Sequence, residues 1–599
     1  MGKFLQSRKP WVERNSFPVF VFLLVGVAIY SNTLHSPFVF DDGPSITRNP
    51  TIKNLENFYG NSTGYDKYPT RFIGYVSFAL NYNFGAFDPF GYHILNLTVH
   101  IINSLLVYFF VLITFSTPFM KKSSSEATPR LVSLISGMLF LVHPVQTEAV
   151  TFVVQRLTSL TTTFFLLSSY YYVKARLLFN DRPNHSKNIY LVYFAFSFLF
   201  CVLAMKTKEI SFTLPVVLII YECFFFDGPN RIRTFFLLPF LFTLLIIPLS
   251  LINVRAPIGK VLTEISAVSR VQTDISRGDY FLTQLSVIVT YIRLLFFPIH
   301  QNLDYDYPVY RSLFQPRVFF CAMSLLFLFG ISLWLYLRSR KAAAASLRVI
   351  SFGIIWFFVT LSVESSLVPI VDVIFEHRIY LPSVGAFVSL AMATSFISRK
   401  WNRTACIWAL VFITAALSIA TYKRNMIWKD DLVLWSDNVK KSPSKARPHY
   451  NLGNSYLLRG WTDKAIREFR DAIQINPDYS DAYLNLGVAY ASIGEEEKAM
   501  AALHKAIQLN PADSESYYNL GLLYSNKGMG HLAIEQYQKA LMLNTESVNA
   551  RNNLGIALAE SGRIDDAIDL FQQGLKLLPG DVELRKNLEN AYKLKSISR

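Results

Sequence analysis

Between residues 17 and 421 the chain is a series of apolar runs, each near the length that a helix needs to cross a bilayer. They lie near 17–34, 92–115, 131–150, 157–175, 189–205, 209–226, 234–252, 317–337, 347–369, 380–398 and 404–421. With no water inside a bilayer, backbone polar groups must pair within the segment, so these runs predict helices. The 599 residues are 52% hydrophobic, but the apolarity ends near residue 422, and the rest is rich in Ala, Asn, Glu and Lys. The expected fold is therefore all-α, with a polytopic membrane domain over 1–422 and a smaller polar domain after it.

Basic residues set the orientation. Lys3, Arg8, Lys9 and Arg14 precede the first run; Lys121, Lys122 and Arg130 follow the second; Arg176, Arg182 and Lys187 follow the fourth; Arg231 and Arg233 follow the sixth. All share one side if the N-terminus is cytoplasmic and the first run is a retained anchor. Residues 281–298 form one further, ambiguous run. If it spans, Arg338, Arg340 and Lys341, and Arg399, Lys400 and Arg403, fall outside; if it lies in the interface or re-enters, both clusters return inside. The second choice gives about eleven spans. It places loops 35–91, 144–156, 206–208, 253–316 and 364–379, with the whole C-terminal domain, on the outer face. The net charge of +16 then reflects topology and the lipid bilayer rather than nucleic acid. The four cysteines, Cys201, Cys223, Cys321 and Cys406, all fall in apolar runs and predict no disulfide framework.

The polar domain repeats. Asn-Leu-Gly starts at Asn451, Asn485, Asn519 and Asn553, and Ala465, Ala499, Ala533 and Ala567 keep the same 34-residue step. Pro477, Pro511 and Pro579 follow it, with Thr545 breaking the series. This is the tetratricopeptide (TPR) period, one helix pair per repeat, stacking into a solenoid with a concave face. Four repeats and a capping helix are expected over 447–599, joined to the membrane domain by a linker helix within 423–446.

The outer loops hold the candidate chemistry. "SPFVFDDGPSITRNP", residues 36–50, sets Asp41 and Asp42 just beyond the first span. They could be solvated turn residues, or a general base beside a membrane-embedded substrate, alone or with a divalent metal such as Mg or Mn. Arg71 heads an amphipathic helix. His93 and His100 share one face of the second span, with His93 nearer the outer edge. "HPVQTEAVTFVVQR" brings His143, Gln146, Glu148 and Arg156 to a short outer turn; "MKTKEISFTLP" adds Lys206, Lys208 and Glu209; "VESSLVPIVDVIFEHRIYLPS" adds Glu364, Asp372, Glu376, His377 and Arg378. Charges between spans are costly unless they face water or one another. They are either ion pairs holding helices together or a site for an anionic headgroup such as a lipid phosphate. No P-loop, dinucleotide glycine motif or metal-type Cys/His spacing is present.

"FVFDDGPSITRNP", "SFALNYNFGAFDPFGYHILNLTVH", "LFLVHPVQTEAV", "KEISFTLP" and "EHRIYLPSVG", in that order and followed by the repeats, resemble the transmembrane-and-TPR-containing O-mannosyltransferases and their bacterial relatives, within the GT-C glycosyltransferase superfamily. "QRLTSL" departs from the GRAD-like stretch of animal members, and "TRF" at 70–72 from an Arg-Pro. The resemblance implies a GT-C fold, a polyprenyl-phosphate-linked sugar as donor, and transfer at the outer face of the membrane. Asp41 matches the leading, catalytic acid of this superfamily and Asp42 the second. Arg378 matches a basic position that would hold the donor phosphate, with His377, Lys208, Arg156 and His143 beside it. Arg71, His93, Glu148 and Glu209 complete the candidate pocket. In some peptide-binding TPR superhelices an asparagine placed as Asn451, Asn485, Asn519 and Asn553 are hydrogen-bonds an extended backbone, so these four are the candidate acceptor ladder.

The expected function is inverting transfer of a sugar to Ser or Thr of exported proteins, in a bacterial inner (cytoplasmic) membrane with the TPR domain periplasmic. The rivals are the same chemistry on a glycolipid or envelope polysaccharide, and a non-catalytic scaffold or transporter.

Overall fold

The structure is a computed structural model that describes residues 16–122, 128–180, 189–251, 273, 275–342, 344–366, 368–398 and 402–597. Lys3, Arg8, Lys9, Arg14, Arg182, Lys187, Arg399 and Lys400, which carry part of the orientation argument, lie outside the described residues, as do the side chains of Lys341 and Arg403. The described residues form helices, turns and loops with no strand, and the chain divides into two compact units, Met1–Asp430 and Asp431–Arg599.

The first unit contains α1 (Ser16–Tyr30), α2 (Phe72–Gly85), α3 (Pro89–Thr114), α4 (Pro129–Val142), α5 (Thr147–Thr151), α6 (Arg156–Asn180), α7 (Ile189–Met205), α8 (Leu214–Phe225), α9 (Asn230–Thr243), α10 (Arg277–Phe296), α11 (Pro316–Ala342), α12 (Ala345–Leu361), α13 (Tyr380–Ile397) and α14 (Arg403–Met426). Proline opens α3, α4 and α11, where a missing N–H costs nothing. Asp88 caps α3 by accepting from the Phe90 amide at 3.1 Å, and Asn402 caps α14 by accepting from the Thr404 amide at 3.0 Å.

A helix stands at each of the eleven expected runs, yet only seven described helices are individually long and apolar enough to cross a membrane, or eight if a bent pair counts as one span. Three runs give helices that are too short, α7 and α12 with 17 residues and α8 with 12, and two further features account for the rest. The run 131–150 is not straight: α4 ends at Val142, and the chain bends by 53° before the helical turns that follow. Pro144 makes the break, because a proline there cannot donate to the preceding turn. Helix α6 is surrounded by protein and buries hydroxyls, including Thr161, Thr162, Ser168 and Ser169, so it is less apolar than a lipid-facing span. A second difference concerns residues 281–298, expected as an interfacial or re-entrant segment. They form most of α10, one of the seven that qualify as spans by length and composition.

Small residues and hydroxyls hold these helices together, as expected where lipid supplies no hydrophobic drive. Gly353 of α12 and Gly385 of α13 meet so closely that a Cβ on either would lie 2.3 Å from the other's carbonyl oxygen. Ser168 of α6 and Ser197 of α7 each donate to the other's carbonyl, at 2.8 and 2.7 Å. Arg176, expected as a cytoplasmic loop charge, lies instead inside α6. It is fully buried, pairs with Glu222 of α8 at 2.5 Å, and sits over the Phe226 and Phe236 rings.

The second unit begins with Asp431–Lys441 and continues as helix pairs Ala446–Leu457/Thr462–Ile475, Ser480–Ser492/Glu496–Leu509, Ser514–Asn526/Gly530–Leu543 and Val548–Glu560/Ile564–Leu577, closed by Val582–Ile597. The recurring Leu-Gly step is a packing device: a Cβ at Gly453, Gly521 or Gly555 would fall 2.6 Å from the ring of Phe469, Tyr537 or Phe571 on the paired helix. Gly460, Gly494, Gly528 and Gly562 turn each pair with φ of +72°, +78°, +72° and +84°.

Candidate functional site

The two adjacent aspartates have opposite environments. Phe40 takes a left-handed conformation, φ +50°, rare for an aromatic residue, and the chain reverses there. Asp41 is left exposed and Asp42 has no exposed surface. Both Asp42 oxygens are taken by backbone: Val154 N–H donates to Oδ1 at 2.7 Å and Val39 N–H to Oδ2 at 3.1 Å. Burial pushes the Asp42 carboxyl up to about 7, against the opposing pull of these amides. Asp42 thus clamps the first loop onto the turn at 153–155 and holds its neighbour in place.

That turn is anchored in its own right. The stretch 144–156, expected as a short outer turn, is a set of short helical turns buried in the unit. Asn96 of α3 donates to the carbonyls of Val150 and Val153 at 3.1 and 3.3 Å. Its own oxygen accepts from Arg156 Nε at 2.6 Å. Arg156 is fully buried and also donates to Asn81 Oδ1 at 2.6 Å, to the Ser77 carbonyl at 3.2 Å and to the Tyr92 carbonyl at 3.0 Å, with Phe78 4.7 Å from its guanidinium. It therefore fastens α2, α3 and α6 to one point.

A group of cations lies alongside. Arg71, capping α2, forms a forked pair with Glu209, Nε to Oε1 at 3.0 Å and Nη2 to Oε2 at 3.1 Å, and Thr70 donates to the same carboxylate at 2.8 Å. Burial would raise the Glu209 carboxyl, but Arg71 and the hydrogen bonds outweigh it and hold it at about 2. The next residue back, Lys208, pairs with Glu364 at 2.9 Å and donates to Thr158 at 2.9 Å. His377 meets Glu148 at 2.5 Å, and Arg378 donates to the carbonyls of Asp372 and Val373 at 2.6 and 3.1 Å. Lys208, Arg378 and Arg71 all lie close enough to act on the charge of His377. Tyr75 connects this group to the acid pair, because both Arg71 and Asp41 act on it electrostatically. Burial raises its hydroxyl above the ordinary tyrosine value, which keeps it a hydrogen-bond donor. Arg71 is the accessible cation, with its side chain 45% exposed against 9% for Lys208.

The three other histidines singled out in the sequence all bind backbone, His100 through the Leu141 carbonyl at 3.1 Å beside a bond to the Tyr380 hydroxyl at 2.8 Å. His143 accepts from Val145 N–H and reaches the Leu295 carbonyl at 3.1 Å, so both its nitrogens are used. His93 meets the Ser36 carbonyl at 2.9 Å through Nε2, while its buried Nδ1 has no hydrogen-bond partner among the described residues.

The partners of Glu376, together with Tyr75 and Asn96, escape a reading by motif. Glu376 is buried and accepts from Gln301 Nε2, Asn302 N–H and Tyr305 Oη at 2.5, 2.8 and 2.6 Å, while its own N–H donates to Glu148 at 2.9 Å. The dense polar run "QNLDYDY", 301–307, in a loop between apolar helices was the available signal. Tyr75 and Asn96 gave none.

Asp42 is fully buried and held by two amides, so Asp41 is the carboxylate of the pair that is open to a divalent cation. Among the described residues, a His/acid grouping with metal-like spacing lies in the repeats, at His449, Glu468 and Asp471, whose ligand atoms lie within 4.8 Å of one another. The four repeat asparagines are half-buried and alternate in role. Asn451 and Asn519 donate back to the carbonyls of Arg447 and Glu515, at 3.0 and 2.9 Å. Asn485 and Asn553 reach a tyrosine of the preceding repeat, Tyr450 at 3.2 Å and Tyr518 at 3.1 Å.

Comparison with known proteins agrees with both units. A family model described as "TPR repeat" matches residues 453–494 and 489–528, and one described as "Tetratricopeptide repeat" matches 518–582. The human protein O-mannosyl-transferase TMTC3 is 24% identical, over 76% of this chain and 51% of its own length. Human TMTC4 is 23% identical, over 74% of this chain and 64% of its own, and Drosophila melanogaster Tmtc3 24%, over 77% and 55%. The chain spans about half the length of the curated relatives it matches. Among solved structures, MamA is 29% identical over 24% of this chain and 85% of its own, with a TM-score of 0.23. A thermophilic TPR protein of Thermus thermophilus is 23% identical over 30% and 94%, with a TM-score of 0.25. Through three quarters of its length, then, this all-α chain is similar to the TMTC protein O-mannosyl-transferases, and its C-terminal helix pairs are TPR repeats.

Proposed function

We propose that the chain is a GT-C-type membrane glycosyltransferase that moves a sugar from a polyprenyl-phosphate carrier to Ser or Thr hydroxyls of exported polypeptides. Asp41 acts as the base. It takes the proton of the acceptor hydroxyl as that oxygen bonds to the anomeric carbon, and the bond from that carbon to the phosphate oxygen breaks on the opposite face. The products are the inverted glycoside, the polyprenyl phosphate and a protonated Asp41. The leaving phosphate meets Arg71 first, with the buried positive charge of Lys208 and Arg378 behind it to stabilise the developing anion, and His377 beside them as a neutral imidazole.

The observation that carries this reading is the split of the acid pair: one carboxylate is immobilised on backbone amides and the other is presented at the surface, beside Tyr75 and the Arg71 group. The basic loops support a cytoplasmic N-terminus and a reaction at the outer face, and the TPR domain lies outside in the eleven-span arrangement, in which α10 does not cross the bilayer. The repeats recruit the acceptor polypeptide, and tethering raises its local concentration.

The test is transfer by the purified full chain in lipid nanodiscs, supplied with a polyprenyl-phosphate hexose and an unstructured Ser/Thr-rich polypeptide. Hexose should appear on the polypeptide with wild-type protein and be absent with Asp41→Asn. Transfer to a glycolipid in place of the polypeptide would move the acceptor class; no Asp41-dependent transfer to either would reject the enzyme.

A further inference from the structure

Away from these residues, an apolar groove of 460 Å³ opens between α1, α4 and α14. Its walls run from Phe17 to Val25 on α1, from Leu131 to Met138 on α4, and from Ile407 to Ser418 on α14. All three stretches start within four residues of the first residue of their helices, so the groove opens toward the end at which these helices begin. It exists because α14 is thinly packed: 6% of its apolar span is buried, against 61% for α3. The small side chains of Thr414, Ala415 and Ser418 leave space where larger residues would close the gap.

Length and charge select the occupant. At 1.5 Å rise per residue the α14 wall is about 16 Å long and the α1 wall about 12 Å. Half of a bilayer's hydrocarbon core is about 15 Å, so the groove matches one acyl chain of one leaflet and is too short for a spanning helix to fill along its length. Arg130, the residue before Leu131 at the start of α4, is exposed and has no anionic partner among the described residues. A basic residue next to the groove wall at Leu131 favours an anionic headgroup over a neutral one by several-fold.

We infer that this groove is a binding site for an anionic glycerophospholipid, one acyl chain lying between α1, α4 and α14 and the headgroup at Arg130. The lipid wedges α14 against α1 and α4, supplying the packing that the small α14 residues omit. The site is independent of the proposed transfer reaction.

The test uses the full chain purified in mild detergent, with phosphatidylglycerol carrying a photoactivatable diazirine on its acyl chain as the probe. Labelling should map by peptide mass spectrometry to Val21, Met138 or Ala415. Unlabelled phosphatidylglycerol should compete several-fold better than phosphatidylcholine of the same chains, and Arg130→Gln should abolish that difference. Ala415→Trp, which fills the groove, should remove the labelling; if this variant does not accumulate, the wild-type labelling map and the Arg130→Gln competition decide alone. Labelling spread evenly over lipid-facing residues, or equal competition by both lipids, would overturn the inference. So would a cross-linked dimer through α14, which would make the groove a contact between copies.

Discussion

Val154 donates its amide to Asp42 at 2.7 Å across 112 residues of sequence, and this bond fixes the loop from which the neighbouring Asp41 projects. The position of the proposed base is therefore set by a turn between α5 and α6, and that turn is set in its place by Asn96 and Arg156.

The clamp carries a pH signature. Asp42 accepts both amides at once only as a carboxylate, and its carboxyl is pushed up to about 7 by burial. Activity should fall on the acid side with a midpoint near 7. In Asp42→Asn, whose amide group opposes one of the two donors, that limb should vanish along with most of the activity. Stability should run the other way. The folded chain binds this proton more tightly than an unfolded aspartate at 3.8, so the stabilisation is full below about 4 and is lost as pH rises through about 7. Rate–pH profiles and thermal unfolding of both proteins check the pair of signs.

Arg156 should not tolerate Lys. Its planar fork serves four acceptors on two other helices, α2 and α3, whereas an ammonium reaches fewer of them from one point. Losing two bonds of this kind costs about 3 kcal/mol or more. Arg156→Lys should lower the unfolding temperature and reduce kcat, and Asn96→Leu should do the same. A change in donor KM alone would instead make Arg156 a direct phosphate ligand.

Arg71 should behave differently, because it is accessible. Arg71→Gln should raise the KM for the lipid-linked donor about tenfold, equivalent to about 1.4 kcal/mol, with a smaller change in kcat. Steady-state kinetics with varied donor separate the two. The effect should shrink as salt rises, since a half-exposed cation is screened.

The alternating asparagines should separate by function. Asn451 and Asn519 bond within their own helices, so Asn519→Ala should weaken acceptor binding with little loss of stability. Asn485 also braces the preceding repeat through Asn454 at 2.7 Å and Tyr450, so Asn485→Ala should weaken binding and lower the unfolding temperature as well. Titration of full-length protein with acceptor peptide, beside thermal unfolding, resolves them.

Much of this architecture is legible in the sequence because it repeats or is locally encoded. The 34-residue step shows in Asn-Leu-Gly, and the apolar runs become helices where they stand. What the runs conceal is packing. Arg176 at the end of an apolar run reads as a loop charge, yet it finds Glu222, whose position only the tertiary fold supplies. Helix α6 is rich in hydroxyls because protein surrounds it, which no window of hydropathy detects. At the candidate site the residue types that would do the chemistry are legible, but their division of labour is not. Asp41 and Asp42 are chemically identical neighbours, separated by the backbone turn at Phe40 and by amides from distant segments.

The most direct measurement is intact-protein mass spectrometry of exported proteins from cells carrying wild-type protein, a deletion, or Asp41→Asn at equal membrane abundance. The account predicts that a hexose-sized mass present with wild type is missing from the same proteins in both the deletion and Asp41→Asn. Full modification in Asp41→Asn cells, with loss only in the deletion, would contradict it, because the exposed carboxylate would then play no part in transfer.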